Sequence, residues 1–389
     1  MKSLRFGIVG SGYMAKTHSL ALRNIGSFLW PNMPTIEMVR LADIDERAAE
    51  DGAMRWGWHE AATDWRSITR AEDIDVVIII TPNDSHEEIA IDAFAHGKHV
   101  FCEKPLAESA EAAARMAEAA ARSGKIGVVN FVYRCWPAVE LARKLIQSGD
   151  LGQLRHFQGH FFQDYANDPT LPFAWRFDLD RSGGGAIGDI GSHISDIAVS
   201  LMGPISRVTA SSRTYIDHRP TANGPDSRVT VDDMTTSLVD FASGATGAVH
   251  ASWAATGHKS DLNFRVIGTR GAIHFTWERN NELHVYTDTG RTDSDGFRRI
   301  VIGGVHPEAA PFWYAQGQGL GYGEAFVITL RRLIEAIRSE DTAVSPSFAE
   351  AAHINAVIAA MIRSSESGTW EAVADLMVRQ EEHLKDLAI

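Results

Sequence analysis

Asp189 and His193 stand four residues apart in the run Gly184-Gly-Ala-Ile-Gly-Asp189-Ile-Gly-Ser-His193-Ile-Ser-Asp196. On a helix that spacing puts both side chains on one face, one turn apart. An imidazole beside a carboxylate at that separation suits a general base held by an acid. The plainer alternative is an acid capping the helix and a histidine at the edge of the core. Ile187, Ile190, Ile194, Ile197 and Leu201 recur at spacings of three and four, so the segment has a buried stripe on either reading. No third and fourth ligand stand nearby in sequence, and no metal site is expected.

A second cluster is Glu103-Lys104-Pro105, directly after the apolar run Val100–Cys102. A lysine at a strand end is ordinarily a solvated charge. The proline makes a rigid turn there, which suits a fixed functional side chain, and a cis Lys104–Pro105 peptide is the expectation for so tight a turn. Thr81-Pro82-Asn83 ends the run Val76–Ile80 in the same way, and His86 opens the helix that follows. These groups all fall on the rim where parallel sheets bind ligands.

The third cluster is Gly10-Ser-Gly12-Tyr13-Met14-Ala15, between a first strand and a first helix. Gly10 permits a tight turn, and Gly12 lets the backbone approach a pyrophosphate. Ala15 lets the helix sit close, with its first amides aimed at the anion. Alone the pattern fits any strand-to-helix turn. Here an acid, Asp43, ends the second strand, where a carboxylate accepts both ribose hydroxyls of NAD and repels the 2′-phosphate of NADP. Asp45 is read as the cap of the next helix. The insertion Phe28-Leu-Trp-Pro31 lengthens the span between the glycines and Asp43.

The elements that must position these groups are legible in the pattern. Leu4–Val9, Glu37–Ala42, Val76–Ile80, Val100–Cys102 and Ile126–Phe131 read as strands. Met14–Asn24, Glu46–Trp56, Ser85–His96 and Ser109–Ser123 read as the helices between them. The alternation predicts a doubly wound α/β domain over 1–130. The grammar then changes. Pro137–Ser148 reads as a helix, Leu154–Phe162 as a strand, and 205–286 as successive strands broken by Ser243-Gly244, Gly268–Gly271 and Asn280-Asn281. Residues 216–230 read as an exposed loop, Gly323–Ser339 and Phe348–Ser365 as helices, and 370–389 as charged with a helical end. Residues 131–389 are therefore predicted to form an α+β domain with a large, mostly antiparallel open sheet. Helices cover one face of that sheet, and an open apolar face predicts a homo-oligomer, a dimer or tetramer.

The 389 residues suit two domains, and the 44% hydrophobic and 22% charged content is that of a folded chain. A net charge of −13 disfavours nucleic acid and anionic membrane as partners. Cys102 and Cys135 offer no disulfide framework, and neither a signal peptide nor a spanning run is seen; a cytoplasmic protein is expected.

Taken together, Gly10–Ala15, Glu103-Lys104-Pro105 and Asp189-x-x-x-His193 resemble the glucose–fructose oxidoreductase/inositol dehydrogenase (Gfo/Idh/MocA) family over nearly the whole chain. His18-Ser-Leu-Ala21, Phe28-Leu-Trp-Pro31, Trp175-Arg-Phe177, Gly321-Tyr-Gly-Glu324 and Ser345-Pro-Ser-Phe348 resemble its anhydrosugar-, sugar- and inositol-oxidising members. The resemblance implies catalysis by Lys104 and His193 with Asp189 as partner, and Glu103 close to a nicotinamide. It implies a dinucleotide set of Gly10, Gly12, Tyr13, Met14, Ala15, Asp43, Thr81, Asn83, His86, Glu103, Lys104 and Arg176, with NAD expected over NADP. Substrate hydroxyls would meet Tyr133, Gln163, Trp175 and Arg176 as well as Lys104, Asp189 and His193. The activity implied is reversible oxidation of a secondary alcohol of a sugar, anhydrosugar or cyclitol, His193 taking the proton and Lys104 stabilising the oxygen. Two alternatives stand beside it: a nucleotide-sensing regulator without turnover, and an enzyme with tightly held NAD that acts through a transient keto intermediate.

Overall fold

The computed structural model describes residues 3–222, 224–291 and 293–374. The chain forms two compact units. The first takes residues 3–132 together with Leu320–Ala352; the second takes Tyr133–Gly319 and 353–374. The boundary expected at 130 falls at 132/133 and is the first of three crossings among the described residues, because Leu320–Ala352, which the sequence assigned to the second domain, packs with the first.

In the first unit, strands β1 (Leu4–Val9), β2 (Ile36–Ala42), β3 (Glu60–Ala62), β4 (Val76–Ile79), β5 (His99–Cys102) and β6 (Gly127–Val129) form one sheet. Its order is β3-β2-β1-β4-β5-β6 and every pairing is parallel. All four residues of β4 are buried, as a central strand covered on both faces requires. Between the strands run α1 (Tyr13–Phe28), α2 (Glu46–Trp56), α3 (Arg66–Thr69), α4 (His86–Ala95) and α5 (Ala110–Ser123). The starts of α2 and α5 are fixed by side-chain caps. Asp45 accepts from Ala48 N and Ser109 from Ala112 N, each at 3.1 Å. The short edge strand β3 and the single turn α3 were missed in the sequence, being too brief for any periodicity to show. A late helix, Tyr322–Ser339, packs on α1, and its Phe326 lies edge-on to His18 with centroids 5.3 Å apart. That buried apolar contact draws the segment into the first unit.

In the second unit, α6 (Pro137–Gln147) leads to β7 (Leu154–Phe162). Next come α7 (Leu179–Ser182), α8 (Ala186–Asp189) and α9 (Gly191–Met202). Further strands are β8 (Ile205–Arg213), β9 (His218–Arg219), β10 (Ser227–Arg228), β11 (Met234–Phe241), β12 (Thr246–Ser252) and β13 (Asp261–Gly268). The set ends with β14 (Gly271–Thr276), β15 (Glu282–Thr287), β16 (Arg298–Val301) and β17 (Glu371–Ala372). Nine of them make a sheet ordered β16-β15-β14-β13-β7-β12-β11-β8-β17, antiparallel except for the parallel β7–β12 pair. Phe157, Phe161, Phe264 and Phe275 fill its inner face, against which α9 packs over β7 and β12.

Three expectations change here. The open face is mixed rather than apolar, for alternation places Gln158, His160, Thr236, Arg265, His274 and His284 on it beside the exposed Leu238 and Ile267. Residues 216–230 are not simply a loop, because β9 and β10 pair within them and Arg219 is fully buried. The helix carrying Asp189 and His193 is two pieces joined at Ile190, whose φ of −100° breaks the regular turn. The helical end expected beyond residue 374 lies outside the described residues.

Candidate active site

At the C-terminal edge of the parallel sheet, Gly10 follows β1 with φ +108°, a conformation that favours glycine, and a Cβ there would meet Ile80 Cγ1 at 2.9 Å. At Gly12 nothing lies within 4 Å of a Cβ position, so space is open above the start of α1. No side chain caps that helix and no acid stands in its first turn. The first amides therefore face an open space, the arrangement that receives a phosphate. Tyr13 is exposed and Ala15 buried, as close packing of the helix on the sheet demands. The dinucleotide expected from the sequence fits this cradle.

Asp43 follows β2 and fastens the glycine turn. Ser11 N and Oγ donate to its Oδ2 at 2.8 and 2.6 Å, and Asp45 N donates to Oδ1 at 3.1 Å. A carboxylate has about four acceptor positions. Three are taken by the protein, which leaves one position on Oδ1.

Two strands from β1, Glu103 follows β5 and is buried. His18 Nε2 lies 2.8 Å from its Oε1, and Asn130 Nδ2 donates to the same oxygen at 2.7 Å. Burial opposes the charge on Glu103, but His18, Lys104 and Asn130 outweigh it and hold the carboxyl below its usual range. Lys104 is half-buried and precedes a cis peptide to Pro105. Thr81 and Asn83 sit beyond β4, the neighbouring strand, with Thr81 Oγ1 accepting from Ser85 Oγ at 2.7 Å. His86 does not take the place the sequence gave it. Its ring is fully buried, with Nε2 2.9 Å from Thr81 O and Nδ1 3.1 Å from Leu106 O. Burial lowers its pKa, so one N–H donates to a backbone carbonyl, and the fully buried ring packs the Lys104–Leu106 turn against the end of β4 with neither nitrogen open to a ligand.

In the second unit, His193 opens α9 and is 7% exposed. Tyr133 lies edge-on to it at 4.7 Å, and also edge-on to Trp277 at 4.6 Å and Phe161 at 5.4 Å. The residue after Tyr133 is anchored below by a buried ion pair, Arg134 Nε to Asp196 Oδ2 at 3.2 Å, so Tyr133 and α9 are tied through adjacent residues. The Asp189 carboxylate is half-buried, and Tyr165 donates to its Oδ2 at 2.9 Å. The glycine-rich entry to α8 is held by Asp232. Its Oδ1 and Oδ2 accept from Gly185 N and Ile187 N at 3.0 and 3.1 Å, while Thr235 Oγ1 donates to Oδ2 at 2.8 Å. Burial outweighs these bonds and pushes Asp232 up to about 6. Arg176 is exposed and stacks on Trp175 at 4.4 Å. Gln163 is fixed through its backbone, with N donating to Ser252 O at 2.8 Å.

Tyr133, His193, Asp189, Trp175 and Arg176 thus belong to one unit, and Gly10, Gly12, Asp43, Thr81, Glu103 and Lys104 to the other. His18, Asn130 and Tyr165 were missed. The only signals for them were the His18–Ala21 fragment and the interleaving of aromatic and polar residues over 161–176. Among the described residues no group of three or more His, Cys, Asp and Glu side chains is placed to hold a metal ion, and no helix is long and apolar enough to cross a membrane.

Residues 4–131 match the family model described as an oxidoreductase family with an NAD-binding Rossmann fold, and 139–274 match the GFO/IDH/MocA C-terminal domain. Levoglucosan dehydrogenase of Pseudarthrobacter phenanthrenivorans is 37% identical over 97% of this chain and 100% of its own length. The chain belongs to the Gfo/Idh/MocA oxidoreductase family. It is accordingly an NAD-dependent oxidoreductase, and the family resemblance read from its motifs holds. The scyllo-inositol 2-dehydrogenase (NAD(+)) of Bacillus subtilis is 29% identical over 74% of the chain and 78% of its own length. A solved levoglucosan dehydrogenase in complex with NADH superposes with a TM-score of 0.93, at 38% identity over 96% of this chain and 100% of that one.

Proposed function

We propose that the enzyme oxidises, reversibly, a secondary hydroxyl of an anhydrosugar, sugar or cyclitol with NAD. The observation that carries this reading is the aromatic-lined imidazole in the second unit. His193 lies against Tyr133 and follows by four residues a carboxylate held by a phenol, and Trp175 and Arg176, stacked together in the same unit, offer a flat face and a charge. Such surroundings suit a polyol, whose C–H faces pack on rings while its hydroxyls take polar partners. Full-length similarity to a levoglucosan dehydrogenase supports an anhydrosugar first.

His193 accepts the hydroxyl proton, and Asp189 favours and orients the protonated imidazole. Lys104, in the role its Glu-Lys-Pro motif implies, supplies the cation that stabilises negative charge as it develops on the substrate. Glu103, ionised and tied to His18 and Asn130, fixes the turn that carries Lys104. The amides of α1 bind the pyrophosphate, and Asp43 binds the ribose and excludes a 2′-phosphate. Bound NAD supplies the two-electron acceptor. The purified enzyme is assayed for NAD reduction across anhydrosugars, aldoses and inositols. The expected result is turnover within this set, and reduction by none of them in a protein that still binds NADH would refute the reading.

The open face of the nine-stranded sheet, with its exposed Leu238 and Ile267, is the surface we assign to self-association in a dimer or tetramer. Light scattering at micromolar concentration checks it, and a monomer would overturn it. Two buried thiols, Cys102 and Cys135, fit a reducing, cytoplasmic setting.

A further inference from the structure

We propose that Tyr165 is a positioning residue for the reaction: its phenol fixes the Asp189 carboxylate, and the buried Arg219 holds Tyr165 in place to do so. The inference rests on Asp189 being the partner of the base, as read above.

The segment around Tyr165 is restrained far beyond what an exposed loop needs. Gln163 N donates to Ser252 O at 2.8 Å, Ala255 N to Gln163 O at 2.9 Å and Ala166 N to Trp253 O at 3.1 Å. From the other side Arg219 donates to Ala166 O at 2.5 Å and Asp168 O at 2.9 Å. Its guanidinium lies 4.1 Å from the Phe177 ring and is fully buried. Burying a guanidinium is costly, and one that spends donors on loop carbonyls serves the conformation of that loop. Trp253 lies against the Tyr165 ring at 6.0 Å and is itself fixed by Nε1 donating to Asp233 Oδ1 at 2.6 Å.

Tyr165 itself keeps 44% of its surface exposed, while burial around its hydroxyl, with Asp189 beside it, pushes the phenol pKa well up. What these restraints hold still is the phenol, and the phenol donates to Asp189 Oδ2 at 2.9 Å. A hydrogen bond to the charged form favours the carboxylate over the acid and leaves its other oxygen with a set direction. Asp189 sits at the end of α8, one residue before the irregular Ile190, so the helix alone does not orient it.

The test uses the full-length enzyme with Tyr165→Phe, Arg219→Lys and Asp189→Asn, each checked for native thermal unfolding. Two readouts are taken: carbon-13 titration of the Asp189 carboxyl in the protein without nucleotide, assigned through Asp189→Asn, and the pH profile of kcat/KM with the best polyol. Tyr165→Phe is expected to move the Asp189 titration to higher pH and to lower kcat by roughly tenfold, the scale of one hydrogen bond to a charged group. The acid limb of the profile should rise with the titration, and the KM for NAD should stay unchanged. Arg219→Lys keeps the charge but loses the two-pronged grip, and should give the same shifts at reduced size. An unmoved titration in Tyr165→Phe overturns the proposal. So does a change confined to the KM for the polyol, which would make Tyr165 a substrate contact. If the titration moves but Asp189→Asn keeps full turnover, the catalytic reading of Asp189 is what has failed, and the positioning role falls with it.

Discussion

Gly185→Ala is the perturbation whose consequence is most directly worked from the structure. A Cβ at this position would lie 2.0 Å from Asp232 O and 2.8 Å from both Asp232 N and Oδ1. The first two are backbone atoms and cannot swing aside. Reaching ordinary contact requires a displacement of about 1.4 Å, which breaks the bonds from Gly185 N and Ile187 N to the Asp232 carboxylate and from Ala186 N to Asp232 O. Losing bonds of this kind together with overpacking costs about 3–5 kcal/mol. The same displacement moves the residue that precedes α8, four residues before Asp189 and eight before His193. A misplacement near 1 Å reduces turnover by about a hundredfold. Gly188→Ala is the matched control, because its added Cβ meets nothing nearer than 3.8 Å, and it should change stability by less than about 1 kcal/mol. Denaturant unfolding and NAD-reduction rates of both variants decide the matter. Gly185→Ala with wild-type stability and turnover would show that the Asp232 clamp does not set the geometry of this segment.

Three further outcomes are expected. NAD should be preferred over NADP by at least about tenfold, and Asp43→Ser should narrow that ratio in initial-rate kinetics, while also loosening the turn that Asp43 fastens through Ser11. His99 Nδ1 accepts from Ile126 N at 3.0 Å, and burial followed by Lys125 lowers the ring from 6.5 to about 4. The unfolded chain then binds the proton first, so this stabilisation is present above pH 6.5 and lost toward pH 4, at most about 3 kcal/mol. Urea unfolding across that range should show the loss, and His99→Gln should flatten it. Arg134→Met, which strands the buried Asp196 carboxylate, should cost about 3–5 kcal/mol in thermal unfolding.

The parallel sheet was legible because its strands are buried on both faces and its glycine turn, Asp43 and the Lys104–Pro105 turn lie beside them in sequence. The cap Asp45 marked a helix start for the same local reason. What escaped was whatever depends on distant segments. Leu320–Ala352 carries an ordinary helical pattern, and nothing local says that Phe326 will meet His18. Arg219 reads as a loop cation until the carbonyls of Ala166 and Asp168 close around it. His86, at a helix start beside other candidates, reads as a ligand contact, and only the positions of Thr81 O and Leu106 O show it to be a brace. The segment of Asp189 and His193 read as one unbroken helix, and the structure divides it at Ile190.

The central claim is that His193 accepts a substrate hydroxyl proton during oxidation by NAD. Single-turnover NADH formation with the best polyol, measured against pH for the wild type and His193→Ala, tests it most directly. The account predicts a wild-type rate that rises as the imidazole loses its proton, a loss of at least about a hundredfold in the variant, and nearly unchanged NADH binding. A His193→Ala enzyme that keeps most of its rate and the same pH profile would contradict it, and would pass the role of proton acceptor to Lys104.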